Sequence, residues 1–370
     1  MAPKGHWAVR FEAQSKTAKM FYTNSGEHVK LGSELDGVNL NQDIFPQLAM
    51  YGAGASLGQT NLDVAIDSKY FELTTGYGIT DKLTIGAIIP YRDIRKSINF
   101  SVGGGNLGLN PLFNSTEPAS VTNLPYLPIE NGITPITTAQ MQEILASKYG
   151  YKPLETRNIS GFADPTIGLL WNAYSTDDSS LMLSSGYRFG IQEGDPDRLI
   201  DTTISSGSST IRLQAEYLKE LAYGFDLYSR FEYGIELEGR VTKRVPEQGK
   251  MLAPKSSKES LTRDLGDYRI YDIGLGKTWG NWRTALNWYR AEKDSDNYSS
   301  SKGTDTTALE THTSGHVNQW KTSLSWSGIE SWKRGNLALP LVVNLVYRDT
   351  YDGKNTPDYQ DVYLQLTSFW

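Results

Sequence analysis

Four histidines serve a chain of 370 residues, and two of them flank a serine in THTSGHVNQW: His312, Ser314 and His316. A histidine near a hydroxyl can act as a general base on a nucleophile, as in lipid-hydrolysing and proteolytic sites. Ser314 stands in a Gly- and Thr-rich stretch, and no phospholipase or protease motif surrounds it, so the expectation is a protein that is not an enzyme. GGGNLG (103–108) satisfies G-x-G-x-x-G, but the expectation is that no buried strand precedes it and no helix follows, which removes the phosphate cradle. DSDNYSSSKGTD (294–305) spaces Asp294, Asp296 and Asp305 like a calcium loop. It lacks the central Gly and the closing Glu, and reads as a solvated polar loop. There is no cysteine, which excludes thiolate metal sites and disulfide frameworks. A net charge of −6 gives no electrostatic case for nucleic acid. No metal and no cofactor are implied.

The remaining ionisable residues are spread along the chain, and their spacing is the informative feature. In 225–238, Asp226, Tyr228, Arg230, Glu232 and Glu236 share one parity. Phe225, Leu227, Phe231, Tyr233, Ile235 and Leu237 share the other, broken only by Ser229. In 209–219, Arg212, Gln214 and Glu216 alternate with Ile211, Leu213, Ala215 and Tyr217. A period of two belongs to a strand with one polar and one apolar face. Together the polar faces offer Arg10, Glu12, Glu72, Arg188, Arg212, Glu216, Arg230, Glu232, Asp272, Arg283, Asn287, Lys321, Asn344 and Arg348, with the signs nearly balanced. Two readings are open. The charges pair across a narrow lumen and plug it, or they line a hydrated passage without strong ion preference. On the second reading, selectivity resides in Arg188, Arg212, Arg230 and Arg283 facing Glu216, Glu232 and Asp272.

Twelve segments alternate in this way, each of about ten residues: 6–15, 67–79, 83–94, 165–174, 180–190, 209–219, 225–238, 267–278, 282–292, 317–326, 337–349 and 359–370. The connections after even-numbered segments are short, such as ITDK, STDDS and WGN. Those after odd-numbered segments are mostly long: 16–66, 95–164, 191–208, 239–266 and 293–316. An even number of antiparallel strands with tight turns at one end and long loops at the other predicts a single all-β domain, 1–370, that is a transmembrane antiparallel barrel of the outer-membrane type. Mean hydropathy is −0.44, and no apolar run approaches the ~18–20 residues of a spanning helix. Tryptophans test the idea. Trp7, Trp279, Trp282, Trp326, Trp332 and Trp370 all fall at segment ends on the short-turn side, where an interface girdle belongs. Tyr91, Tyr187, Phe189, Trp288, Trp320 and Tyr347 supply a second ring. The expected location is the outer membrane of a Gram-negative bacterium, with both termini periplasmic and a last strand that closes on the first. The start, MAPKGHWAVRF, has no apolar leader core, so the expectation is a chain whose signal peptide has been removed.

The two longest loops, 16–66 and 95–164, are expected to cap or constrict the barrel. Loop 95–164 contains TTAQMQEILASKYG, a short helix with Thr137 and Gln140 as capping box, Met141, Ile144 and Leu145 as apolar stripe, and Gly150 as stop. Loop 16–66 brings Phe45, Met50 and Tyr51 together. These apolar residues pack on one another, or they line a reception site for an apolar solute at the barrel mouth. Lys243, Arg244, Lys255 and Lys258 in loop 239–266 are candidates for contact with lipid phosphates.

YFELTTGYGITDKLTIGAIIPYRD (70–93) resembles the strand–turn–strand signature of an outer-membrane family associated with meta-pathway phenol degradation. GFADPTIGLLWNAY (161–174) resembles that family's second signature, from which Ala163 and Pro165 depart. The resemblance implies a transporter for hydrophobic or aromatic compounds. A final strand ending in Phe369 and Trp370 likewise resembles the signal read by the barrel-insertion machinery. The expected function is therefore passive uptake of a small hydrophobic or aromatic solute, with outer-membrane lipid and lipopolysaccharide as surroundings. The alternatives are a plugged barrel that binds a ligand or lipopolysaccharide through its loops and, after it, a lipid-hydrolysing enzyme.

Overall fold

The computed structural model describes residues 1–191 and 194–370. Twelve long strands follow one another antiparallel and close on themselves. They are β1 (Trp7–Ala18), β2 (Gln59–Thr80), β3 (Leu83–Gly103), β4 (Thr166–Ser175), β5 (Ser179–Arg188) and β6 (Thr210–Glu220). The round continues with β7 (Phe225–Glu236), β8 (Tyr268–Trp279), β9 (Trp282–Lys293), β10 (Gly315–Ser327), β11 (Leu341–Lys354) and β12 (Gln360–Phe369). Each pairs with its neighbours in the chain, and β1 pairs with β12 from Ala8↔Phe369 to Thr17↔Gln360. No barrel edge is left to meet lipid with unpaired backbone. All twelve alternating segments of the sequence are strands, and the fold class is the expected one.

Alternation dictates the sidedness. Leu227, Phe231, Ile273, Leu275, Leu286, Leu345 and Leu364 are exposed on the outer wall, where apolar side chains meet hydrocarbon. Inward-facing Glu232 and Asp272 are 1% exposed.

β2 and β3 are about twice the expected length, 22 and 21 residues. The reason is an exchange of faces. Low in the hairpin, Phe71, Leu73, Ile85 and Ile89 point out and are exposed. Higher up, Leu62, Val64, Ile94 and Ile98 occupy the opposite parity and are buried, while outward Asp63 and Asn99 are exposed. Below the exchange the surroundings are lipid; above it they are water and the inner face packs on loops. The period of two persists, but the apolar parity flips, so a reading that follows one apolar face stops at the flip.

The hairpin extension carries the loops. Phe45, Leu48 and Leu57 of the first long loop and Tyr126, Ile136, Met141, Ile144 and Leu145 of the second form one buried core. α1 (Thr138–Tyr149) begins with the expected capping box: Gln140 N donates to Thr137 Oγ1 (3.3 Å) and Thr137 N donates to Gln140 Oε1 (2.9 Å). It ends at Gly150, whose φ of 70° is left-handed and suits glycine. The strand Arg157–Phe162 continues β3's pairing above β4 and lies outside the twelve-stranded round. GGGNLG begins at the last residue of β3, so a strand does precede it, contrary to expectation. No helix follows until Thr138, and the phosphate cradle is still absent among the described residues.

Candidate functional site: the barrel lumen

All ten residues expected to line the lumen, Arg188, Arg212, Glu216, Arg230, Glu232, Asp272, Arg283, Asn287, Lys321 and Arg348, lie on inward parities, and each meets an inward-facing partner. Their partners differ from the expected facing sets. Arg212 Nε donates to Glu232 Oε1 (2.9 Å), and Arg230 lies 3.5 Å from Glu232 Oε2. Arg188 turns instead to Glu236 (2.7 Å) and to the Thr210 hydroxyl. Arg283 grips both oxygens of Asp226, at 2.9 and 2.5 Å, reaching across β8 at Gly276. Asp272 accepts from Asn287 Nδ2 (2.6 Å) and from Lys321. Arg348 donates to Asp361 (2.8 Å), and Glu216 accepts from Gln214 (2.7 Å).

Register and strand tilt explain the rearrangement. Lys321 and Arg348 stand directly opposite each other, as do Glu12 and Glu72. Like charges across a ladder repel. Lys321 therefore turns one way to Asp272 and Arg348 the other way to Asp361, while Glu72 is taken diagonally by Arg10 (2.8 Å).

The sequence reading passed over the tyrosines. Tyr70, Tyr228, Tyr268, Tyr289 and Tyr363 share the inward parity and interleave with the cations. Arg348 lies 5.4 Å from the Tyr289 ring centroid and 5.3 Å from that of Tyr363; Lys321 lies 5.8 Å from that of Tyr228. Tyr268 OH donates to Glu232 (3.0 Å) and Tyr70 OH to Glu72 (2.5 Å). The signal was available, since Tyr228 alternates with Phe225 and Leu227 just as Arg230 does.

Two plugs narrow this passage. At the short-turn end the amino-terminal stretch enters the barrel. Ala2 is 1% exposed and its N–H donates to inward Thr84 Oγ1 (3.2 Å). Gly5 N and Gly78 O bond at 2.8 Å, and a Cβ at Gly78 would overlap the Pro3 carbonyl. From the loop side, segment 194–209 meets the inner wall: Arg92 Nη1 donates to Ile204 O (2.9 Å) and Lys96 donates to Asp201 O.

The apolar loop residues gather as a cap. Phe45, Met141, Ile144 and Leu145 are buried, and Tyr51 OH accepts from Tyr126 N (2.9 Å), whereas Met50 points outward and is exposed. Free space between Phe45, Met141 and Leu145 is only about 40 Å³, well short of the ~150 Å³ cavity that takes up benzene. Arg244 and Lys258, candidates from sequence for contact with lipid phosphates, are instead engaged by Asp197, at 2.7 Å each. Lys258 and Arg244, by donating to it, hold the Asp197 carboxyl down at about 2. A carboxyl depressed in the folded state stabilises it above the ordinary aspartate range and stops doing so as pH falls through the depressed value. Protease resistance of the loops in the embedded protein is expected to be constant from pH 7 to 5 and to fall below about 3.9 toward 2. A resistance that is flat over that window would exclude Asp197 as the fastening group.

The histidines are dispersed. His316 Nε2 lies 3.4 Å from Asp352 Oδ2, His28 bonds Asp358 (2.9 Å), and no serine hydroxyl bonds a histidine among the described residues.

At the short-turn end Trp7, Trp279, Trp282, Trp326 and Trp370 lie at neighbouring strand ends. Trp279 pairs with Trp282 and Trp282 with Trp326, while Trp7 and Trp370 exchange backbone bonds of 2.8 and 2.9 Å. At the loop end Trp288 Nε1 donates to Tyr351 OH (2.9 Å), and Trp320 stacks on Tyr351 at 5.6 Å.

No family model and no curated protein matches the chain. Among solved structures, an outer membrane channel from Pseudomonas putida F1 is 11% identical, with a TM-score of 0.58, 100% of this chain and 97% of that chain being covered. A channel described as the CymD monoaromatic hydrocarbon channel is 10% identical over 99% of this chain and 88% of that chain, at a TM-score of 0.36. A Pseudomonas aeruginosa FadL homologue is 8% identical over 99% and 90%, at a TM-score of 0.37. The last two superpose too loosely to carry an argument, and the first supports the fold: the closed round of twelve strands is a barrel of the outer-membrane type.

Proposed function

We propose that this protein is a channel in a Gram-negative outer membrane, with both termini periplasmic, through which a small hydrophobic or aromatic solute passes without an energy source. The observation that carries the reading is the inner face itself. Charges and tyrosines continue from β1 round to β12, and peptide segments meet this wall at either end. The Ala2–Pro3 stretch rests on Gly78 and can leave by local motion. The loops between β1 and β2 and between β3 and β4 cap the far end, and Arg188, Arg212, Arg230, Glu232, Asp272 and Lys321 set which solutes pass.

The test is planar-bilayer recording of the refolded protein beside Gly78→Ala. The added methyl overlaps the Pro3 carbonyl while barely reducing the bore. The wild type is expected to show small discrete steps, the variant steps several-fold larger, and a small aromatic added to the bath to block both. Silence from both proteins, with heat-modifiable gel mobility showing intact barrels, would overturn the channel reading and favour a plugged barrel acting through its loops.

A further inference from the structure

Inside the barrel, beside Ser205 and Ser206, lies a cavity of about 410 Å³. That is within the range of small-molecule sites. Its wall combines tyrosines and arginines, Tyr70, Tyr268, Arg92, Arg188 and Arg212, with the apolar side chains of Ile88, Pro90 and Ile270.

Its carboxylates are largely engaged by the protein. Glu72 accepts from Arg10, Tyr70 and Thr74, and Glu232 from Arg212 and Tyr268. Asp164 accepts from Ile191 N (2.9 Å) and Ser206 Oγ (3.3 Å). The donors are in surplus. Arg92 forms no ion pair among the described residues; it gives one hydrogen bond, to the Ile204 carbonyl, and lies 5.5 Å from the Tyr70 ring centroid. A guanidinium has five N–H donors, so most of those on Arg92 remain for a ligand. Arg188 Nε and Ser205 Oγ are buried in the same wall without a partner. The one orphan acceptor there, Glu232 Oε2, has Arg230 at 3.5 Å. Buried donors left unmade are costly, and the cost is recovered when an acceptor arrives. A guanidinium with unused N–H donors selects an anion, a planar fork selects a carboxylate, and tyrosine faces with aliphatic neighbours select a ring.

We infer that this cavity binds a small aromatic carboxylate, its carboxylate on Arg92 and its ring against Ile88, Pro90, Ile270 and the tyrosines. The inference rests on the channel reading and narrows the solute from any apolar or aromatic compound to an aromatic acid.

The experiment is calorimetric titration of the full-length protein in detergent with benzoate, with benzamide (ring without charge) and with acetate (charge without ring). Benzoate is expected to bind at least about tenfold more tightly than either control, and Arg92→Gln to weaken it by at least about tenfold. Because Arg92 also holds Ile204, a second variant leaves it alone: Ile88→Trp fills the cavity and should abolish benzoate binding with gel mobility unchanged. Benzamide binding as tightly as benzoate, absence of benzoate binding at millimolar concentration, or indifference to both variants would each overturn the inference. Binding is read without current, so the two readings fail separately. Benzoate binding to a barrel that never conducts would sink the channel alone, and conduction without benzoate binding would sink the aromatic-acid site alone.

Discussion

Replacing Arg244 with alanine is expected to unfasten the loop cap while the barrel stays closed. The side chain is 3% exposed and joins three loops. Its Nε and Nη2 donate to Asp197 Oδ1 at 3.2 and 2.7 Å. Nη1 donates to the carbonyls of Tyr149 (2.5 Å) and Ala253 (3.1 Å), and Nη2 also to that of Gly150 (2.7 Å). The first and last of those carbonyls close the C-terminal end of α1, where the helix dipole favours a cation. The guanidinium also lies 4.1 Å from the Tyr151 ring centroid. Taking one partner out of a buried pair costs ~3–5 kcal/mol. Asp197 is partly exposed and keeps Lys258, so the lower part of that range applies, about 3 kcal/mol of local stability. Hydrogen exchange should then accelerate by about two orders of magnitude at the amides of 145–154, with barrel amides unchanged. Arg244→Lys should rescue little, because an ammonium cannot serve carbonyls and carboxylate in one plane. Unaltered protection at 145–154 would show that the apolar core of Phe45, Leu48 and Met141 holds the cap without the latch.

The second large effect is expected inside the barrel. Glu232→Gln keeps the volume but removes the one carboxylate among the described residues that pairs with both Arg212 (2.8 Å) and Arg230 (3.5 Å). At 1% exposure Glu232 is far from bulk water, so two guanidinia would be left with no counter-charge between them. About 3 kcal/mol of barrel stability should be lost, the low end for a broken buried pair because lumen water reaches the arginines. It should appear as a lower urea midpoint for unfolding in lipid. The lumen also gains one net positive charge, so the reversal potential in a salt gradient should move toward anions. A midpoint and a reversal potential both equal to the wild type would mean that Glu232 neither fastens the wall nor sets its field. The stability readout holds even for a barrel that conducts nothing.

Strands, sidedness and girdles were legible in the sequence because each depends on neighbours one or two residues away. A side chain at i and one at i+2 share a face whatever the rest of the chain does. Asp226, Arg230 and Glu232 could thus be placed on the inner wall, and Leu227 and Phe231 on the outer. The capping box of α1 is equally local. Strand length in β2 and β3 was not legible, since the same period of two serves lipid outside at Phe71 and loop core inside at Leu62. What changes along that hairpin is the medium, and no single residue records it.

Partners were the other thing that sequence left open. Arg188 and Glu236 are 48 positions apart, Lys321 and Asp272 49, and Arg244 and Asp197 47. Alternation says that each faces inward or loopward, but pairing depends on how far each strand slides against the next when the barrel closes. Closure also placed like charges opposite each other at Lys321 and Arg348 and sent them to opposite sides. By itself the sequence determined a barrel of alternating strands, its two aromatic rings and its polar inner face. The tertiary structure alone decided which charges neutralise each other, that Arg92 forms no ion pair among the described residues, and that the Ala2 and Asp201–Ile204 stretches meet the inner wall, because those outcomes follow from register and closure, which sum over the whole round of strands.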